Sequence, residues 1–185
     1  MRNKPAFPSN TEGVGKAMPR VACVLLLLFG LMSSVALAQQ VYTHDRLEYS
    51  FELPSPTWRS ISEPDAAHEH IEFVYGDRLD GLLTVRKEVV EAGTTPAALA
   101  RREADLKFRY LPGFVEGKQE PFNGRLDGVI QSYEFVRAGK PMLGRVYYLQ
   151  ADSRTVYALR FSGLKDKLSR IRNQTDLIAR TFKLK

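Results

Sequence analysis

Residues 129–162 read VIQSYEFVRAGKPMLGRVYYLQADSRTVYALRFS, and this stretch decides the class of the fold. Val129 to Val136, Leu143 to Gln150 and Thr155 to Ser162 are rich in valine, leucine, tyrosine and phenylalanine. Turn-forming segments separate them, Ala138-Gly139-Lys140-Pro141 and Ala151-Asp152-Ser153-Arg154. Such runs joined by tight turns form antiparallel strands. Side chains alternate between faces along a strand, so Tyr147 and Tyr148 place one ring on each face. Both rings reach a core only if both faces of the sheet are covered.

Upstream, Leu47-Glu48-Tyr49-Ser50-Phe51-Glu52-Leu53 alternates with period two, as a half-buried strand does. Pro54-Ser55-Pro56 stops it and the lone Trp58 follows, placed to close one end of a core. Residues 69–75 alternate again, with Ile71, Phe73 and Tyr75 on one face. A turn over Gly76 to Gly81 leads into a strand from Leu82 to Val90. Thr95-Pro96 opens a helix, threonine capping and proline suiting the first turn. Leu99, Leu106 and Tyr110, with Ala100, Ala104 and Phe108, form its apolar side until Leu111-Pro112-Gly113 ends it. A strand from Phe114 to Phe122 and a turn at Asn123-Gly124 lead back to the opening stretch.

Downstream, Leu164, Leu168, Ile171, Thr175, Ile178 and Phe182 recur every three or four residues, predicting one amphipathic helix against the sheet. Arg-Leu-Asp-Gly occurs twice, at 78–81 and 125–128, and Asp-Gly predicts the same turn in both copies.

The first 38 residues differ from the rest. Lys16 and Arg20 precede the apolar run Val21 to Leu31, and small residues follow to Ala36-Leu37-Ala38, the layout of a cleavable secretory signal. Met18 is an alternative start. An uncleaved anchor is the competing reading, since Val21 to Ala38 has a spanning helix's length. Cys23 stands at the wrong end of the apolar run for lipidation. The expected organisation is a signal peptide at 1–38 and a single α+β domain at 39–185, exported and then periplasmic or extracellular. The only cysteine leaves with the signal, so the mature chain forms no internal disulfide.

The formal charge is +6, too small after loss of the basic leader to point to nucleic acid. Residues 39–136 hold 11 basic and 17 acidic groups, and 137–185 hold 12 basic and 3 acidic. A basic C-terminal face would suit an acidic partner or anionic head groups, unless the two halves interleave and their fields cancel.

Tyr49-Ser50-Phe51-Glu52-Leu53-Pro54 followed by Trp58, then hairpin, helix, meander and a closing helix ending Thr181-Phe182, resembles the PsbP-like superfamily. That superfamily includes the photosystem II extrinsic subunit, DcrB-like bacterial envelope proteins and Ran-binding import factors. The resemblance spans residues 45–184 and rests on core and turn positions. It implies an α/β/α sandwich, with an antiparallel sheet packed by a middle helix and a C-terminal amphipathic helix. It also implies a family that mostly binds or assembles, and carries over no functional residues.

One cluster suggests chemistry. His68, His70 and Glu72 share a face if 68–72 is a strand, and two imidazoles with a carboxylate suit zinc or a similar ion. The same residues equally form the solvated side of a half-buried strand. His44 stands apart. Gly-x-Ser-x-Gly, phosphate-binding glycine loops and zinc-cysteine patterns are absent from the sequence. Asn173-Gln174-Thr175 matches the glycosylation pattern but falls mid-helix. The expectation is a non-enzymatic exported domain, without a cofactor, that binds a protein or envelope component, peripheral membrane contact included. Its docking surface would be Lys165, Lys167, Arg170 and Arg172 on the last helix. A metal-dependent enzyme or metal-binding protein using His68, His70 and Glu72 is the alternative, and a carrier of an apolar small ligand a third reading.

Overall fold

The computed structural model describes residues 40–62, 64 and 71–185. The expected signal peptide, His68 and His70 lie outside them. In chain order the elements are β1 (Gln40–Thr43), β2 (Tyr49–Leu53), β3 (Trp58–Ser60), β4 (Ile71–Tyr75), β5 (Asp77–Val89), α1 (Pro96–Leu106) and a 3-10 turn (Phe108–Tyr110). Then come β6 (Val115–Phe122), β7 (Gly128–Arg137), β8 (Lys140–Asp152), β9 (Thr155–Leu164), α2 (Lys165–Arg170), α3 (Arg172–Thr181) and β10 (Lys183–Leu184).

Seven strands form an antiparallel sheet in the order β3-β4-β5-β9-β8-β7-β6. The β7–β8 reversal takes two residues, Ala138 and Gly139, with φ of 49° and 72°. Positive φ at both positions matches the strands' own twist and keeps the ladder continuous. A smaller antiparallel sheet, β1-β2-β10, completes the strands.

The large sheet is covered on both faces. On one, Leu168, Ile171, Ile178 and Phe182 of the C-terminal segment join Phe51 and Leu53 of the small sheet over Phe73, Leu83, Tyr147, Leu159 and Phe161. On the other, Leu99, Ala100, Ala104 and Phe108 cover Tyr133, Val146, Tyr148, Val156 and Ala158. Tyr147 and Tyr148 therefore lie in separate cores, both fully buried. The α+β sandwich expected from the sequence is the fold observed.

Local chemistry explains the elements. The Thr95 hydroxyl accepts the Ala98 N–H at 3.2 Å, with Pro96 at the first helical position. Trp58 is buried and donates its indole N–H to Gln174 Oε1 at 2.9 Å, tying β3 to α3.

Four expectations need correction. The turn at 76–81 is shorter, because Gly76 (φ +69°) reverses the chain alone and Asp77 already pairs with Tyr75. The two Arg-Leu-Asp-Gly copies do not make the same turn: 78–81 lies inside β5, while 125–127 is an irregular approach to β7. Their glycines serve close approach instead. A Cβ on Gly81 would meet Ile171 Cδ1 at 3.1 Å, and one on Gly128 would stand 1.8 Å from the Tyr148 carbonyl oxygen. The last helix is two, divided at Ile171 (φ −100°, ψ 16°), and Leu164 ends β9 rather than opening the helix. The stripe from Leu168 to Phe182 is nonetheless buried as predicted.

The fourth correction concerns α1. Leu106 and Tyr110, expected on its apolar side, are 65% and 75% exposed. The buried sector of α1 is Leu99, Ala100, Glu103 and Ala104. Its middle runs near Glu103, and Leu106, the last residue of α1, lies about 60° from Glu103 at 3.6 residues per turn, at the edge of the sector. Tyr110 sits in the 3-10 turn, out of phase with the helix.

Candidate functional site

Glu72, the one described member of the His-x-His-x-Glu cluster, forms an ion pair with Arg78 at 3.0 Å. Among the described residues no group of three or more His, Cys, Asp or Glu side chains is placed to hold a metal ion.

Two polar clusters are buried, one on each face of the sheet. Glu103 is 3% exposed and accepts the Tyr148 hydroxyl at 2.7 Å and the Lys107 ammonium. Arg160 approaches at 3.3 Å, stacked over the Phe108 ring at 4.7 Å. Burial pushes the Glu103 carboxyl up, but Lys107, Tyr148 and Arg160 outweigh it and hold it below its ordinary value. On the opposite face Arg145 donates to the Tyr147 hydroxyl at 2.7 Å and to Asp176 at 2.8 Å. Tyr147 in turn donates to Asp176 and lies 2.9 Å from the Thr175 hydroxyl. Both clusters join a helix to β8, and each acid is answered by the cations and hydroxyls of its own cluster.

A cleft of about 480 Å³ opens beside the start of β2, lined by residues 46–49, residues 85–88 and Tyr157. Its central carboxylate, Glu48, is bound by Lys87 at 2.5 Å and by the Tyr157 hydroxyl. Lys87 first, and Tyr157 second, hold Glu48 below its ordinary pKa. At the rim the C-terminal Lys185 N–H donates to the Glu48 carbonyl at 2.9 Å. The cleft's acid is thus a structural tie between β2, β5 and β9.

The basic C-terminal face is exposed as expected, yet its charge is largely answered from the sheet. Lys165 pairs with Glu134 at 2.7 Å, Lys167 with Asp80 at 3.7 Å and Arg172 with Glu120 at 3.8 Å. Three of the four cations picked out from the sequence therefore face acids of the acidic half, and the two halves interleave.

The outer side of α1 differs. Arg101, Arg102, Leu106, Lys107, Arg109 and Tyr110 are all exposed. Lys107 is bound to Glu103 and Arg109 lies 3.6 Å from Asp105. Neither Arg101 nor Arg102 has an ion-pair partner among the described residues. Beside Leu106, a depression of about 150 Å³ is lined by Glu88, Leu99, Arg102, Glu103, Leu106 and Lys107. No part of this surface was picked out from the sequence as a docking site. The available signal was the run Arg101-Arg102 at helical spacing from Leu106 and Tyr110.

No protein-family model and no curated protein matches the sequence. Solved structures do match. The cyanobacterial PsbP (CyanoP) of Synechocystis superposes with a TM-score of 0.54 at 15% identity, covering 82% of this chain and 96% of that one. The Ran-binding protein Mog1p of Saccharomyces cerevisiae gives 0.55 at 11% identity, covering 80% and 96%. The fold is PsbP-like. LpqN of Mycobacterium tuberculosis, involved in cell envelope biogenesis, shares the PsbP-like arrangement at a TM-score of 0.51 and 15% identity, covering 80% and 91%. The chain spans about half the length of a Bacteroides thetaiotaomicron protein of the same fold, covering 48% of it at a TM-score of 0.55 and 11% identity. At these identities the likeness is one of fold.

Proposed function

We propose that this is an exported, non-enzymatic domain that acts by binding a protein or envelope component. The observation that carries the reading is the outward display of Leu106 and Tyr110 on α1, the helix whose inner side builds one of the two cores. Leu106 and Tyr110 lose apolar hydration cost only when something covers them, and tyrosine with arginine is the composition that interface centres favour. The PsbP-like proteins Mog1p, described as Ran-binding, and LpqN, tied to envelope biogenesis, lend it support. Export rests on the leader's layout, and among the described residues no helix is long and apolar enough to cross a membrane.

The test is site-specific photo-cross-linking in the native host. A photoreactive side chain replaces Tyr110 or Leu106 in the full-length precursor, with Val41, remote on β1, as control. A discrete adduct from 106 and 110 and none from 41 is expected. Adducts from the control alone, or none from any position, would remove the binding reading.

A further inference from the structure

We infer that the outer face of α1 docks an acidic protein surface, with Arg101 and Arg102 as the charge-reading residues and the depression beside Leu106 as the seat of one partner side chain. This rests on the binding reading above and names the partner's chemistry. Exposed on α1 and its 3-10 turn are the cations Arg101, Arg102, Lys107 and Arg109 against a single exposed carboxylate, Asp105. That local balance opposes the acidic character of residues 39–136, in which the helix lies. Lys107 and Arg109 are engaged within the helix, whereas Arg101 and Arg102 are not. Two adjacent unpaired guanidiniums offer forked donors that match carboxylates.

Arg102 and Leu106 stand four residues apart on α1, so charge and apolar area share one stripe, and Tyr110 adds exposed apolar area on the 3-10 turn that follows. The depression beside Leu106 adds a concave element with Arg102 and Lys107 on its wall and Glu88 and Glu103 also present. A depression walled by a leucine and an arginine is the kind of place where interface binding energy concentrates. A membrane is the poorer occupant. Amphipathic helices that lie in lipid spend their apolar face there, and the apolar face of α1 is already packed on Tyr148, Val146 and Ala158. Of the large apolar residues on α1 and its 3-10 turn, only Leu106 and Tyr110 are left exposed to enter a bilayer.

The deciding experiment repeats the cross-linking from Tyr110 in the native host with Arg101→Glu/Arg102→Glu, with Arg101→Lys/Arg102→Lys, and in high salt. The partner peptide is identified by mass spectrometry, and circular dichroism checks that each variant folds. Charge reversal and salt should each cut adduct yield about tenfold, and the lysine pair, which keeps the charge without the forked donors, should fall between wild type and the reversal. The cross-linked partner segment should carry net negative charge. Adduct formation indifferent to both charge reversal and salt overturns the acidic partner and leaves the binding reading standing. Loss of the wild-type adduct altogether removes both. Flotation of the wild-type domain with phosphatidylglycerol–phosphatidylcholine vesicles, abolished by Arg101→Glu/Arg102→Glu, would make the occupant a membrane and overturn the proposal.

Discussion

Glu103 lies almost wholly beneath α1, and its partners set how the fold responds to acid. Its carboxyl is held below the ordinary 4.5 because Lys107, Tyr148 and Arg160 together outweigh its burial. The unfolded chain therefore takes up the proton first. Glu103 contributes stability above its unfolded pKa and loses it as pH falls through the lower folded value. Glu103→Gln should unfold at lower denaturant at neutral pH. Its midpoint should also fall less than wild type's as the pH drops from 6 to 3, a comparison chemical denaturation reads directly. Glu103→Ala should cost about 1–3 kcal/mol, since it leaves the Tyr148 hydroxyl and the inner side of Arg160 unanswered. This site was not legible in the sequence. A glutamate amid arginines on a helix reads as solvated, and its partners Tyr148 and Arg160 stand 45 and 57 residues away.

Among the elements, the C-terminal segment illustrates how period and geometry part company. The apolar spacing from Leu168 to Phe182 identifies the buried stripe correctly, because burial depends on which side of the chain faces the sheet. It is blind to the break at Ile171, where the apolar spacing continues while the backbone leaves helical geometry. Ile171, 6% exposed and packed against Gly81, is the position where the break meets the sheet. Ile171→Ala should cost about 2–5 kcal/mol, read from denaturant unfolding. Lys165→Glu/Lys167→Glu/Arg172→Glu sets like charges opposite Glu134, Asp80 and Glu120. Being at the surface, each pair should cost less than about 1 kcal/mol, and the Tyr110 adduct should persist. On α1 the spacing misleads in the other direction. Leu106 and Tyr110 fit an apolar side by count, but the sheet takes the sector centred on Glu103. A mismatch between pattern and burial is where function tends to be found.

For the molecule as a whole, the order of elements was readable because each strand of the meander announces itself by alternation and each reversal by turn residues. The small sheet was not, since β1 and β10, which flank β2 in it, have four and two residues. Such segments carry too few positions to show a period and owe their form to pairing with β2, which for β10 lies far back in the chain. Cleavage after Ala38 would leave Gln39 as the first residue and spare β1, which begins at Gln40. N-terminal sequencing of the exported protein should therefore begin at Gln39, and a product still carrying Val21 to Leu31 would favour the anchored form. Tyr147 and Tyr148 have a further consequence. One peptide bond joins a ring fastened to Asp176 and Thr175 in one core to a ring fastened to Glu103 in the other. Neither layer can loosen its tyrosine without disturbing the strand that holds the second, so the two cores should melt as one cooperative unit. Native-state hydrogen exchange should give the amides of Val146 to Leu149 a common opening free energy equal to that of global unfolding.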